Sequence, residues 1–379
     1  MPGDAGLFAL LERLVAFDTQ NPPGREIDAA AFLTATLHEI GFVTEVQSVG
    51  EGRANAVALL ANGPGPTLAF NSHIDTVPVG SGWRSDPFAL SEREGRLHGR
   101  GACDAKGSIA AMVEAARLLA GRRDTWSGTL LLAFVADEEI DGAGSKALTR
   151  AAQERGMAID AVIIGEPTAN RVHAAHKGCL RPLLRVAGQT AHSSRPDLGV
   201  NAIQKAGRLL ALLDAEDQAL RQRRHALVGP ATLTVTRIAG GIADNVVPDS
   251  CEIVLDRRLL PGEEADTVLD ELQHLLATAR RDHDIDAELV RVRSVAGAAE
   301  TASTAEIVRQ SLAVVDQPVP MGFTGGCDLV HFRAIGSDGI ILGPGSLEQA
   351  HKPDEYVAKS ELVDAVGLYH DIALVMLKR

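Results

Sequence analysis

Apolar residues at helical spacing open the chain, with Leu7, Leu10, Leu11, Leu14 and Val15 on one face of an amphipathic helix. An Asn21-Pro22-Pro23-Gly24 turn follows, and residues 28–40 repeat the helical pattern up to Gly41. The pattern then changes to short apolar runs at 43–46, 55–60 and 67–71, a helix over 106–119, a strand over 128–135, a helix over 143–155 and a strand over 161–164. Strands alternating with helices of this length predict an α/β fold with a twisted, mostly parallel sheet, in which ligands gather at the carboxyl ends of strands.

The middle of the chain follows another rhythm. Residues 176–292 read as strand (180–187), helix (200–213), strand (231–239), strand (250–259), helix (263–280) and strand (287–292). This βαββαβ order predicts a compact α+β domain inserted into the first one. From residue 306 the α/β pattern resumes with a helix to 315, a glycine-rich loop at 324–326, a strand at 339–342 and a final helix over 359–377. The domain expectation is therefore 1–175 with 293–379 as one body and 176–292 as the insertion. At 379 residues the chain exceeds the usual size of one hydrophobic core, which agrees with two domains.

Composition narrows the partners. A formal net charge of −13 disfavours nucleic acid and anionic membrane surfaces, which would repel the chain. No apolar run approaches the roughly 20 residues a membrane helix needs, and the first residues lack a basic leader. The four cysteines, Cys103, Cys179, Cys251 and Cys327, are far apart and form no CxxC pair. A cytoplasmic protein without nucleic-acid or membrane partners is expected.

Chemistry concentrates where apolar runs stop. The run ending at Ala136 gives way to three consecutive acids, Asp137, Glu138 and Glu139, whose mutual repulsion calls for a cation if the turn is not simply solvated. His73 and Asp75 follow the strand at 67–71 and, two residues apart on extended chain, share a face. Asp104 opens a helix after a Gly-punctuated loop, where capping is the ordinary explanation. Glu166 follows the apolar strand 161–164, and His351 follows a Gly/Pro turn. Each residue alone has an ordinary explanation as a satisfied polar group. Together they supply imidazole and carboxylate without thiolate, the donors that suit zinc, or cobalt or manganese, in numbers that can hold two ions.

The segments SHIDTVP, GRGACDAKG, DEE, GEPT and AHKPDEY, with TAHSSRP in the middle domain, resemble the di-zinc amidohydrolases that include acetylornithine deacetylase, succinyl-diaminopimelate desuccinylase, aminoacylase and glutamate carboxypeptidase. The resemblance runs from about Phe17 to Tyr356. It implies a zinc-peptidase-like catalytic domain, an inserted dimerisation domain that closes over the site, and a homodimer. It also implies two Zn2+, one held by His73 and Glu166, the other by Glu139 and His351, with Asp104 shared and followed by a cis peptide. Asp75 would orient His73, and Glu138 would be the general base that moves a proton from the attacking water to the leaving amine. His192 matches a histidine contributed across the dimer, Arg258 an arginine that grips the substrate carboxylate, and Asn245 a polar contact near the scissile group. Gly325 and Gly326 would offer N–H groups to a carboxylate. Arg257, the neighbour of Arg258, is expected on the opposite side of its strand.

The NPPG turn, the GEPT…AHKG segment and LGPGSLEQAHKPDEY are most similar to the acetylornithine deacetylase branch, implying hydrolysis of N-acetylornithine, a small-molecule N-acyl amino acid, in arginine biosynthesis. Desuccinylases and dipeptidases share the metal chemistry and stand as alternatives. A non-catalytic binding protein on the same fold and a two-metal phosphoesterase are rivals from other classes. The loop Thr324-Gly-Gly-Cys-Asp-Leu-Val-His331 departs from the Thr/Ser-Asp-Ala pattern of many relatives, which opens the question of acyl and amino specificity.

Overall fold

The computed structural model describes residues 4–378. Its chain divides into two compact units. The first comprises Met1–Ala175, Glu300–Phe323 and Cys327–Arg379, and the second His176–Ala299 with Thr324–Gly326.

In the first unit, Val43–Gly50 pairs antiparallel with Arg53–Asn62, which pairs antiparallel with Gly128–Val135. From there the order is parallel: Gly128–Val135 beside Thr67–His73, then Ala161–Ile164, then Asp338–Ile341. Leu130, Leu131, Leu132 and Phe134 are all fully buried. Burial on both faces explains why this strand reads as a continuous apolar run rather than an alternation. Each such side chain contributes about 1.5–3 kcal/mol by leaving water. Lys106–Ala120 packs against Lys359–Met376 and Asp4–Val15, while Ile27–Glu39 covers the antiparallel edge.

Register aligns the ends of the parallel strands. His73 lies opposite Val135, Asn71 opposite Ile164, and Ile341 opposite Ile164. The segments that follow three of these strands therefore start at one edge of the sheet, and they carry Asp75, Asp137–Glu139 and Glu166. Gly165 has a packing reason: a Cβ there would lie 2.7 Å from the Ser108 Cβ, so only glycine lets this strand end approach the 106–120 helix.

The second unit is a four-stranded antiparallel sheet in the order Thr232–Gly240, Ser250–Leu259, Gly178–Ala187, Ala287–Ala296. Helices Ala202–Leu220 and Ala265–His283 complete the βαββαβ sequence. The last strand extends four residues beyond the apolar run at 287–292, because register shifts at 289/291 and 292/295 break its alternation without ending the ladder. A three-stranded sheet built from Tyr356–Ala358, Arg96–His98 and Ser91–Arg93 has no counterpart in the sequence reading, since its strands are too short to show periodicity.

Candidate metal centre and active site

His73 is the last residue of its strand and is 1% exposed. Its Nδ1 lies 2.8 Å from the backbone carbonyl of Asp75, a contact in which the ring nitrogen donates. This bond places the proton of the neutral ring on Nδ1 and leaves Nε2 with a bare lone pair, 3.1 Å from Asp104 Oδ1 and 3.9 Å from Glu166 Oε1. Two acceptors facing one another need a cation between them, a proton or a metal ion.

Asp104 is shared between two such groups. Its Oδ2 lies 3.3 Å from His351 Nε2, which is itself 3.1 Å from Glu139 Oε2. The carboxylate is not a helix cap, because Ala105 occupies that position and no side chain caps the 106–120 helix. The Asp104–Ala105 peptide bond is cis. Glu355 sets the backbone here: its Oε1 accepts from Cys103 N at 2.9 Å and Asp104 N at 3.0 Å, while Oε2 pairs with the buried Arg100 guanidinium.

Two ligand groups result, His73–Asp104–Glu166 and Asp104–Glu139–His351, each with donor atoms within 4.8 Å of one another. The electrostatics fit divalent ions. Burial, together with the charge of Glu166, pushes the Glu138 carboxyl well up, and burial likewise raises Glu139 and Glu166. Burial pulls the His73 imidazole down, yet the bond to Asp104 and the charges of Glu166, Asp104 and Glu138 overrule it and raise the group well above its usual value. Hydrogen bonds to Asp104 and Glu139 lift His351 to about 10. Carboxyls pushed up by burial beside imidazoles pushed up by carboxylates are the signature of a site short of positive charge. The nitrogen and oxygen donors, with no thiolate among them, suit zinc, cobalt or manganese.

Asp75 touches His73 chiefly through its backbone. Its carboxylate lies 3.7 Å from His73 Nδ1, too far to hold the ring, and the carbonyl of the same residue does that instead. The carboxylate accepts from Glu138 N at 3.1 Å, Glu139 N at 3.3 Å and Asn21 Nδ2 at 2.9 Å.

The remaining expected residues belong to the second unit. His192 is exposed and pairs with Val246 in a two-stranded ladder, where Ser193 N donates to the Asn245 carbonyl at 3.0 Å. Ser194 N donates to His192 Nδ1 at 3.2 Å, so the neutral ring carries its proton on the exposed Nε2. Arg258 is half-buried and its guanidinium forks onto Asp256, at 2.7 and 3.3 Å. Arg257 is buried and pairs with Glu263 at 2.7 Å. Gly325 and Gly326 are half-buried in the bend after Met321–Phe323.

Sequence reasoning did not single out Asn21, Glu26, Arg53, Arg100, Glu355 or Asp328 as parts of this neighbourhood. Asp328 is 2% exposed, its Oδ2 has no hydrogen-bond partner among the described residues, and burial raises its carboxyl to about 6. The available signal was its place in the divergent 324–331 loop.

Two nitrogen/oxygen groups that could each hold a metal ion and that share one carboxylate, with Glu138 beside them at the carboxyl ends of a parallel sheet, are an arrangement suited to metal-dependent hydrolysis. The chain belongs to peptidase family M20/M25/M40, whose sequence profile matches residues 69–375, and it is a metal-dependent amidohydrolase. It is 34% identical over 370 residues to an acetylornithine deacetylase of Myxococcus xanthus, covering 94% of each chain. It is 33% identical over 360 residues to an N-acetyl-L-citrulline deacetylase of Xanthomonas campestris pv. campestris, covering 93% of each. Among solved structures, an M20 family metallo-carboxypeptidase from Sulfolobus solfataricus superposes with a TM-score of 0.80 at 18% identity, covering 98% of this chain and 99% of that one. Among the described residues no helix is long and apolar enough to cross a membrane.

Proposed function

We propose that this protein hydrolyses the amide of an N-acyl amino acid, with N-acetylornithine as substrate and acetate and ornithine as products, in arginine biosynthesis. The observation that carries the reading is the position of Glu138: electrostatically joined to His73, Glu166 and Glu139, yet outside both ligand groups. His73, Asp104 and Glu166 would hold one Zn2+, and Asp104, Glu139 and His351 the other. When bound, such ions supply Lewis acidity toward a carbonyl and lower the pKa of water.

The chain's own groups do the rest. The Glu138 carboxylate takes the proton of the attacking water and returns it to the nitrogen of the scissile C–N bond as that bond breaks, so the amine leaves neutral and the acyl group leaves as a carboxylic acid, which then gives its remaining proton to the amine or to solvent. Its raised affinity for a proton, set by burial and by Glu166, suits a group that must hold one between these steps. His192, with its proton on Nε2, can donate to the carbonyl oxygen as charge develops there. Arg258 would exchange part of its pairing with Asp256 for the substrate carboxylate, with Asn245 and the N–H groups of Gly325 and Gly326 completing the contacts.

The relatives' names support acetylated ornithine or citrulline, which differ in side-chain charge. A homodimer formed through the second unit is supported by its edge strand Thr232–Gly240, which leaves Ile238 47% exposed. Four free, buried cysteines support a reducing cytoplasm.

The test is a kcat/KM panel with zinc-loaded enzyme on N-acetylornithine, N-acetylcitrulline, N-succinyl-diaminopimelate and simple dipeptides, with Glu138→Gln alongside. N-acetylornithine should lead the panel, and Glu138→Gln should lose about 10²- to 10⁴-fold in kcat while retaining metal. A faster dipeptide would replace the substrate assignment, and an active Glu138→Gln would remove the base.

A further inference from the structure

Asp137, the first acid of the strand-end turn, lies in neither ligand group, yet it is buried while Glu138 and Glu139 are half-buried. Its φ of 73° places it in the left-handed region, which aspartate tolerates better than most residues. Asp137 Oδ1 accepts from Arg53 Nη1 at 2.8 Å and Asn21 Nδ2 at 3.0 Å, and Oδ2 accepts from Ala143 N at 3.2 Å.

Arg53 divides its guanidinium between two acids. While Nη1 serves Asp137, Nε and Nη2 fork onto the fully buried Glu26 at 3.1 and 2.6 Å. Asn21 likewise faces two ways, since its Nδ2 also donates to Asp75 Oδ2 at 2.9 Å. Asp75 then accepts the N–H groups of Glu138 and Glu139. A continuous path thus runs from Glu26 through Arg53, Asp137, Asn21 and Asp75 to the backbone of both glutamates. The side chain of the turn's first residue and the amides of its next two are thus held by one connected network.

We propose that Arg53 is a positioning residue: by holding Asp137 it fixes the backbone from which Glu138 and Glu139 project toward the substrate and the second cation. This rests on the roles given to those two glutamates under the proposed function. A partly buried ion pair is weak evidence for stability, because desolvation offsets its attraction. Its directional value is greater, since a planar fork satisfies two carboxylates only in one orientation. Outer partners of metal-site residues are worth about 10–100-fold in metal affinity or activity.

The experiment compares Arg53→Met, Arg53→Lys and Asn21→Ala with the parent full-length chain, using kinetics on an N-acyl amino acid, calorimetric titration with Co2+ and thermal melting. Arg53→Met is expected to lose about 10–100-fold in kcat with KM within about threefold, and to weaken one Co2+ step by about tenfold while leaving the other unchanged. Arg53→Lys, which keeps the charge and loses the fork, should recover part of kcat. Asn21→Ala, which leaves the ion pair intact, should show the same pattern in smaller measure. Unchanged kcat in folded variants, a rise in KM alone, or parallel weakening of both Co2+ steps with a lowered Tm would overturn the proposal, the last by making the network a general stabiliser. Failure of all three variants to fold would overturn it for the same reason. If Glu138→Gln proves active, the base assignment fails, but the asymmetry of the two Co2+ steps still decides the role of Arg53.

Discussion

The two ligand groups share Asp104 but sit in unlike surroundings. His73, Asp104 and Glu166 are all buried, with the His73 side chain at 1% exposure; His351 is 51% exposed at its side chain. The first group is therefore assembled out of water and the second faces it. His173 shows the other outcome: with no carboxylate acting on its ring, burial, helped by the charge of Arg171, lowers it to about 4, whereas the buried His73 is raised. The difference teaches that acidic partners, and not depth, set the behaviour of the site's imidazoles.

The largest effect that can break this comparison falls on the shared residue. Asp104→Ala removes a ligand from both groups and should abolish binding of both ions, with kcat falling by about 10³-fold or more as several kcal/mol of charge stabilisation is lost. Metal analysis after dialysis reads it directly, and a variant that keeps one tightly held ion would show that Asp104 serves only one group.

Next in size is the contrast between the histidines. His351→Ala should leave one ion per chain and a nearly parental Tm, because an exposed side chain leaves no cavity. His73→Ala should lose its ion and also lower Tm, since it empties a buried position and leaves Asp104 and Glu166 unpaired, a change worth about 1–3 kcal/mol or more. Equal stoichiometry and equal melting in the two variants would erase the distinction between dry and open groups.

The smallest effect is read by pH. The folded pKa of His173, about 4, lies below its unfolded value near 6.5. Between these values the unfolded chain binds more protons, so stability is full above about 6.5 and declines as pH falls toward 4, by at most about 3 kcal/mol. His173→Phe should flatten that part of the pH dependence in urea titrations. An unaltered slope would assign the acid sensitivity to other groups.

Much of this site could be read from the chain because its donors follow apolar runs, and a run that ends in His73, Asp137–Glu139 or Glu166 marks a strand end without further information. The α/β and βαββαβ patterns were legible for the same reason, being built from long periodic segments. The supporting contacts were not. Arg53 and Asp137 lie 84 residues apart and Asp104 and Glu355 251 apart, and neither pairing leaves a periodic trace. The orientation of His73 by a carbonyl of Asp75 rather than its carboxylate is a matter of backbone geometry that spacing cannot distinguish. The Arg258 fork onto Asp256 was hidden because two residues on one face of a strand are read equally well as neighbours or as independent contacts.

Glu355 carries a consequence for the order in which the protein is made. Its one carboxylate accepts the amides of Cys103 and Asp104, and it lies four residues beyond His351. A ribosome that has released His73, Asp104, Glu139 and Glu166 has delivered most of the donors, but the loop bearing the shared aspartate still lacks the partner that sets it. Both ligand groups thus wait on residue 355, and a nascent chain that has not reached Glu355 holds its acids without the contact that sets the Cys103–Asp104 backbone.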